Sequence, residues 1–279
     1  NAKDVRLSGM DVWYHTAMTP QDNRWKIWDN MKSYGEVLYK RATGEAPEME
    51  SSKAAARRLQ GVLKEGDRVL DVGCGAGHYL RSLRNAFAFP FTYTGIDATQ
   101  SYVALAAQAF AHDPQADFKH GDIEALPAED RSGDVVLCMN VLLHLPRILP
   151  AMRELWRVTG RTLLVRTMVG AKSFRIKQIR EWEGERKGQE DPLFDADGEP
   201  HRFHYFNIYS EQYIKWICST LPGAASCSIV QDKDYDPAAL TAAAWPDKDK
   251  PGDLTQTVAG MQVNGSIIEP WAFIRVDRG

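Results

Sequence analysis

Apolar and polar positions along the chain alternate between two periods. Short apolar runs at 68–72, 92–96, 116–119, 134–139 and 162–167 read as strands, and amphipathic stretches near 76–88, 99–112, 147–158 and 210–220 read as helices. Strands separated by helices in this way imply a parallel sheet with helices on both faces. Two later runs, 226–232 and 270–276, read as the last two strands, joined by a segment (233–265) rich in Ala, Pro, Asp and Gly. Ahead of the first strand, residues 1–49 are dense in aromatics. Trp25, Ile27, Trp28, Met31 and Tyr34 recur at helical spacing, which predicts a helix capped by Asp22 or Asn23 and stopped by Gly44 and Pro47. A second helix is expected to start near Ser51 or Ser52 and to pack through Ala55, Leu59 and Val62. Residues 171–204 are long, charged and weakly periodic, an insertion after the fifth strand of the kind that is usually functional.

The first strand carries the most specific chemistry. Val69-Leu70-Asp71-Val72-Gly73-Cys74-Gly75-Ala76-Gly77 is a buried strand ending in a glycine turn that starts a helix. In an open α/β sheet, ligands bind at the carboxyl ends of the strands, and the helix presents its N–H groups to that turn. Glycines at every second position leave no Cβ to hold a ligand away from the backbone. The dinucleotide fingerprint G-x-G-x-x-G is not met, because its third glycine would fall on His78. The acid two residues before the turn, Asp71, would repel a pyrophosphate and suits an ammonium group. The second strand ends in Asp97, followed by Ala98, about twenty residues past the turn, where nucleotide-binding α/β folds hold the ribose hydroxyls. Gly121-Asp122-Ile123 follows the third strand, and Asn140 and His144 follow the fourth.

With these residues the chain resembles the class I S-adenosylmethionine-dependent methyltransferases, small-molecule type and methyltransferase type 11/12-like, whose first motif has the form (V/L)LD(V/L)GCGxG. The resemblance covers about 50–170 by motif and 204–279 by pattern. It implies a Rossmann-like α/β fold: a seven-stranded, mostly parallel sheet with helices on both faces and an antiparallel last strand. To this are added an N-terminal helical lid segment over 1–49 and a cap insertion at about 171–204 within the domain spanning 50–279. It also implies S-adenosyl-L-methionine as cofactor, with S-adenosyl-L-homocysteine as product. Gly73, Cys74, Gly75 and Gly77 would then cradle the methionine arm, with Asp71 acting indirectly on its ammonium. Asp97 and Ala98 would take the ribose, and Asp122 with the Ile123 N–H would take the adenine. Asn140 would lie under the methionine arm.

Other roles stay open between chemistry and structure. Arg41 is either a partner for the cofactor carboxylate or a solvated helix end. Tyr34, Tyr39 and Trp28 either face the sulfonium, by cation–π attraction, or pack the core. His144 is either the general base for a hydroxyl acceptor, with Asn140 on the same face at i,i+4, or a helix hydrogen-bond partner. His201, His204, Tyr205 and Tyr209 are candidates to line the acceptor pocket. Trp182 is a candidate anchor for the cap. Arg175, Lys177, Arg180 and Arg186 are interleaved with Glu181, Glu183, Glu185 and Glu190, as on a solvated helix face.

Composition narrows the reading. The chain has 279 residues, 44% hydrophobic and 25% charged, with a formal net charge of −3. No basic stripe calls for nucleic acid, and no apolar run is long enough to span a bilayer. The four cysteines, Cys74, Cys138, Cys218 and Cys227, have neither C-x-x-C spacing nor a zinc-like cluster, so four reduced thiols and no metal are expected. The N-terminus lacks the apolar core of a signal peptide, and a cytoplasmic monomer or homodimer is the expectation. The expected function is methyl transfer to a nitrogen or oxygen of a small-molecule acceptor enclosed by the N-terminal segment and the cap. The alternative is a cyclase or lyase that consumes the same cofactor; a non-enzymatic scaffold and a protein-directed methyltransferase are the remaining readings.

Overall fold

The computed structural model describes residues 25–28, 31–179, 194–233, 256–258, 261–264 and 267–279. It divides into two compact units, a large one of Trp28–Gln178 with Tyr205–Gly279 and a small one of Asn1–Ile27 with Ile179–His204.

The large unit is built on one sheet. Its parallel strands are β1 (Arg68–Val72), β2 (Thr92–Asp97), β3 (Ala116–His120), β4 (Gly133–Met139) and β5 (Thr159–Gly170). Three helices follow β1, β2 and β4 in turn: α3 (His78–Ala86), α4 (Gln100–Ala109) and α5 (Leu149–Val158). Two helices precede the sheet, α1 (Lys32–Thr43) and α2 (Glu50–Arg58). After β5 come the short strands β6 (Lys177–Ile179), β7 (Phe203–Tyr205) and β8 (Tyr209–Ser210), helix α6 (Glu211–Ser219) and strand β9 (Ala224–Gln231). Then follow β10 (Gln256–Val258), β11 (Met261–Asn264), β12 (Ile267–Ile268) and the last strand, β13 (Trp271–Arg278). The sheet order is β3-β2-β1-β4-β5-β13-β9, with β13 inserted antiparallel between β5 and β9. The seven-stranded, mostly parallel sheet with an antiparallel last strand is the one expected. The joining segment is more structured than its composition indicates, since β10, β11 and β12 form a small antiparallel meander within and just beyond it.

β1 lies between β2 and β4, so its positions 69–72 are buried, three of them apolar and the fourth the carboxylate of Asp71. One core cluster joins Val69, Leu80, Leu83, Phe91 and Tyr93 to Leu137 and Phe273. The strand order reverses beside β1, between β1 and β4, and that switch point sets the glycine turn at the open end of the sheet.

Two local expectations are corrected. The N-terminal helix begins at Lys32, so Trp25, Ile27 and Trp28 precede it. The face α1 buries is the small-residue stripe Gly35, Leu38 and Ala42, and a Cβ on Gly35 would lie 2.6 Å from the Tyr102 ring. Close approach to α4, rather than the aromatic periodicity, therefore sets the helix. Its end falls where expected, with Gly44 left-handed at φ 92°. Asp22 and Asn23 lie outside the described residues. The second correction concerns the segment after β4. Asn140 is left-handed (φ 62°) and is followed by a 3-10 turn, Leu142–His144. Asn140 and His144 therefore do not share a helical face. No helix among the described residues is long and apolar enough to cross a membrane.

Candidate active site

The glycine turn has left-handed backbone at all three positions, with φ of 80° at Gly73, 55° at Gly75 and 81° at Gly77. The need for glycine comes partly from the protein itself. A Cβ at Gly73 would lie 2.2 Å from Val141 Cγ2, and one at Gly75 would lie 2.8 Å from Leu38 Cδ1. The turn is thus wedged between the loop after β4 and helix α1, and not only cleared for a ligand. The Cys74 Sγ lies 3.5 Å from the Gly75 carbonyl. It is buried against Gly95, where a Cβ would meet it at 2.8 Å.

Two carboxylates flank the turn. Asp97, half-buried at the end of β2, accepts the Gly75 N–H on Oδ2 and the Thr99 N–H on Oδ1, each at 2.8 Å. This ties the end of β2 to the middle of the turn. Asp71 is fully buried within β1. Its Oδ2 accepts the Tyr93 hydroxyl at 2.6 Å, and its Oδ1 has no hydrogen-bond partner. Burial pushes its carboxyl up to about 7, against the Tyr93 hydrogen bond, and the nearby Asp97 charge pushes in the same direction as burial. A buried acceptor left unpaired costs about 1–3 kcal/mol, and an ammonium donor would relieve it. The two carboxylates are acceptors of the kind an ammonium group and ribose hydroxyls would require. Among the described residues no cluster of His, Cys, Asp and Glu is arranged to hold a metal ion.

The adenine candidates sit on the loop after β3. Asp122 is exposed and closes its own turn, pairing with Ala125 and accepting the Glu124 N–H at 2.9 Å, while Ile123 is buried behind it. The Ala98 carbonyl lies 3.0 Å from His120 Nε2. From α1, Tyr34 is exposed and tilts against Trp28 at 5.8 Å. The Arg41 carbonyl accepts from Arg81 at 2.9 Å, and its guanidinium is close enough to His78 to help depress that imidazole.

The segment after β4 is fixed by a buried polar network that the sequence reading did not foresee. Asn140 Oδ1 accepts from Arg166 Nη1 at 2.6 Å, its N–H donates to the Arg166 carbonyl at 2.9 Å, and its Nδ2 lies 3.3 Å from the Tyr79 hydroxyl. Arg166 is buried in β5, paired with buried Asp232 at 2.7 Å and stacked over the Trp271 ring at 4.2 Å. The signal was present: a lone Arg amid Leu164, Val165 and Thr167 in a central strand must find a partner. What the sequence lacked was any indication that Asp232, from the far edge of the sheet, supplies it.

His144 is held by the Tyr205 carbonyl, 2.8 Å from its Nδ1. A carbonyl only accepts, so Nδ1 carries the proton and Nε2 is the acceptor nitrogen of the neutral ring. Burial presses its pKa down to about 4, against that hydrogen bond. The edge of Trp28 meets the ring at 4.9 Å. Thus Trp28, His144 and Tyr205 come together. Tyr209 is a strut: fully buried, it donates its hydroxyl to the Leu142 carbonyl at 2.9 Å. His204 is buried and belongs to the small unit. Trp182, with Arg180, Arg186 and the interleaved glutamates, lies outside the described residues.

Comparison with known proteins agrees with this geometry. Residues 70–162 match the methyltransferase domain family Methyltransf_11. Over 107 residues the chain is 38% identical to an uncharacterised methyltransferase, YcgJ, of Bacillus subtilis, a match covering 35% of this chain and 40% of that protein. The chain spans less than half the length of the first curated relatives it matches. Among solved structures, the fold is similar to magnesium protoporphyrin IX methyltransferase from Synechocystis PCC 6803, solved with bound SAH (TM-score 0.53, 17% identity, 92% of this chain and 100% of that one). It is likewise similar to the 4+2 cyclase SpnF (TM-score 0.54, 20% identity, 92% and 96% of the two chains). At these identities the likeness concerns the fold alone.

Proposed function

We propose that this chain, whose residues 70–162 match a methyltransferase domain family, is a class I S-adenosylmethionine-dependent enzyme that transfers the cofactor's methyl group to a nitrogen or oxygen of a small molecule. The observation that carries the reading is the pair of carboxylates on the glycine turn, with the buried, unpaired Oδ1 of Asp71 on one side and Asp97 on the other. When bound, the cofactor supplies a methyl group on a sulfonium, already activated for displacement. The protein's own work is to orient, to exclude water and to move one proton. Asp97 would hold the ribose hydroxyls, and the Ile123 N–H and Asp122 would meet the adenine. Asn140, its side chain fixed by Arg166, would contact the methionine arm.

For an oxygen acceptor, His144 Nε2 takes the hydroxyl proton as the acceptor attacks. The Tyr205 carbonyl holds the ring in the tautomer this requires, and burial keeps the ring neutral at neutral pH while lowering its basicity. A neutral amine needs no such base. Trp28 packs against the imidazole. The net charge of −3 and the lack of a basic stripe favour a small acceptor over nucleic acid. The fold itself does not choose between methyl transfer and cyclisation, and the test must therefore follow the methyl group. The protein is incubated with methyl-labelled S-adenosylmethionine and panels of small amines, phenols and carboxylic acids. Label recovered in an acceptor, in step with S-adenosylhomocysteine, supports the proposal. Cofactor loss with the label still on methylthioadenosine refutes it.

A further inference from the structure

His78 is a histidine that neither the motif nor the expected site uses. It is the first residue of α3, directly after Gly77, and stands where a dinucleotide-binding turn would have its last glycine. Its ring is more than nine-tenths buried, and its Nδ1 has no hydrogen-bond partner. That nitrogen faces the turn, 3.7 Å from the point a Cβ on Gly75 would occupy, while the ring packs edge-on to Tyr79 at 4.9 Å. Phenylalanine would fill the space without burying a bare nitrogen, so packing alone does not explain a histidine here.

The charges around it indicate what it meets. Arg41 acts on His78 from α1, and the first turn of α3 adds N–H groups that have no partner within the helix. Burial and the Arg41 charge hold the imidazole neutral, down to about 3. In a positive surrounding, a neutral imidazole serves best as a donor to an anion. The β1 side of the turn has the reverse character, with the unpaired Asp71 Oδ1 there and the Asp97 carboxylate bonded to the Gly75 N–H at its middle. The turn is therefore polarised, acidic where β1 ends and basic where α3 begins, which is complementary to an α-amino acid zwitterion.

We propose that His78 is a specificity-determining donor, which reads the carboxylate of the amino-acid arm while the Asp71 side of the turn reads its ammonium. This rests on the cofactor reading above. It goes further in assigning the choice of a carboxylate-bearing ligand to a neutral histidine next to Arg41.

The test uses S-adenosylmethionine and decarboxylated S-adenosylmethionine, which keeps the sulfonium, the amine and the nucleoside and lacks only the carboxylate. Each is titrated calorimetrically into the wild-type chain, His78→Phe and His78→Asn, with thermal melts as the folding control. Loss of one hydrogen bond to a charged group predicts that His78→Phe weakens S-adenosylmethionine about tenfold and leaves the decarboxylated ligand within about twofold. His78→Asn, whose amide offers a donor near the Nδ1 position, is expected to restore part of the preference. Equal weakening of both ligands, or no change in either, overturns the assignment of His78 and leaves the cofactor reading standing. Failure of the wild-type chain to bind either ligand overturns the cofactor reading, and this inference with it. Should His78→Phe fail to fold, His78→Leu answers the same question, because it removes the donor while keeping an apolar side chain and should narrow the same ratio; an unchanged ratio counts against the proposal.

Discussion

Removing Asp232 is the sharpest perturbation of the network under the site. Asp232→Leu leaves the Arg166 guanidinium buried in the sheet, with the Trp271 ring and Asn140 as neighbours and no counter-charge at 2.7 Å. Breaking one side of a buried pair of this kind costs about 3–5 kcal/mol, because the remaining charge stays desolvated. At about 2–4 °C per kcal/mol for a domain of this size, the melting temperature should fall by roughly 6–20 °C. The double variant Arg166→Met/Asp232→Leu removes both charges and should regain most of that loss, since apolar replacements of matched volume often equal a buried pair. Function should not follow stability. In the double variant Asn140 loses the hydrogen bond at 2.6 Å that holds its side chain, and its left-handed backbone keeps only the N–H bond to the main-chain carbonyl at position 166. Differential scanning calorimetry and cofactor titration on the three proteins separate the two effects. The expected result is a stable double variant whose S-adenosylmethionine affinity or turnover is at least about tenfold down, the loss of one charge-assisted bond. A double variant that is both stable and fully active would refute the view that Arg166 works through Asn140, and an Asp232→Leu protein as stable as wild type would refute the energetic argument.

Further outcomes follow from the same geometry. Asp97→Ala should lower cofactor affinity about a hundredfold or more, two hydrogen bonds to a charged group, as read by calorimetry; unchanged affinity would remove Asp97 from the ribose. Gly73→Ala forces an L-residue into φ 80° with its Cβ at 2.2 Å from Val141, and should cost about 2–4 kcal/mol in a denaturant melt. His144→Gln tests a pH linkage. The folded pKa of about 4 lies below the unfolded value near 6.5, so the stability tied to the neutral ring is whole above pH 6.5 and drains away as pH falls towards 4. The ring is only half-buried, so water screens part of the effect, and the variant should be about 1–3 kcal/mol less acid-sensitive across that window; equal acid sensitivity would return His144 to an ordinary environment. Asp71 titrates in the opposite sense. Its folded pKa of about 7 lies above the unfolded carboxylate value, so its contribution is present in acid and lost as pH rises through 7. Asp71→Asn should therefore flatten the stability profile between about pH 4 and 7.

The sheet and the turn were legible because both are local signals. β1, β4 and β5 are largely apolar and buried, and the acid, the glycines and the following helix are contiguous in sequence. The antiparallel seventh strand was legible from pattern together with family resemblance. What was not legible depends on contacts distant in the chain. The aromatic stripe from Trp25 to Tyr34 has helical spacing, yet α1 begins at Lys32, because the small face of Gly35, Leu38 and Ala42 has to approach Tyr102 and the glycine turn. Asn140 and His144 are four apart and suit a helix, but Arg166 and Tyr205, 26 and 61 residues further on, hold them in separate conformations. His78 was passed over because the motif assigns that position no role, and only the burial of a bare nitrogen beside Gly75 drew attention to it.

The central claim is that the polarised glycine turn binds S-adenosylmethionine. The most direct measurement is calorimetric titration of the purified chain with S-adenosylmethionine and with S-adenosylhomocysteine, the mixture then being read by mass spectrometry. The account predicts one site per chain, affinity in the micromolar range for both ligands, and an intact cofactor until an acceptor is added. No heat of binding for either ligand, from a protein that melts cooperatively, would contradict it.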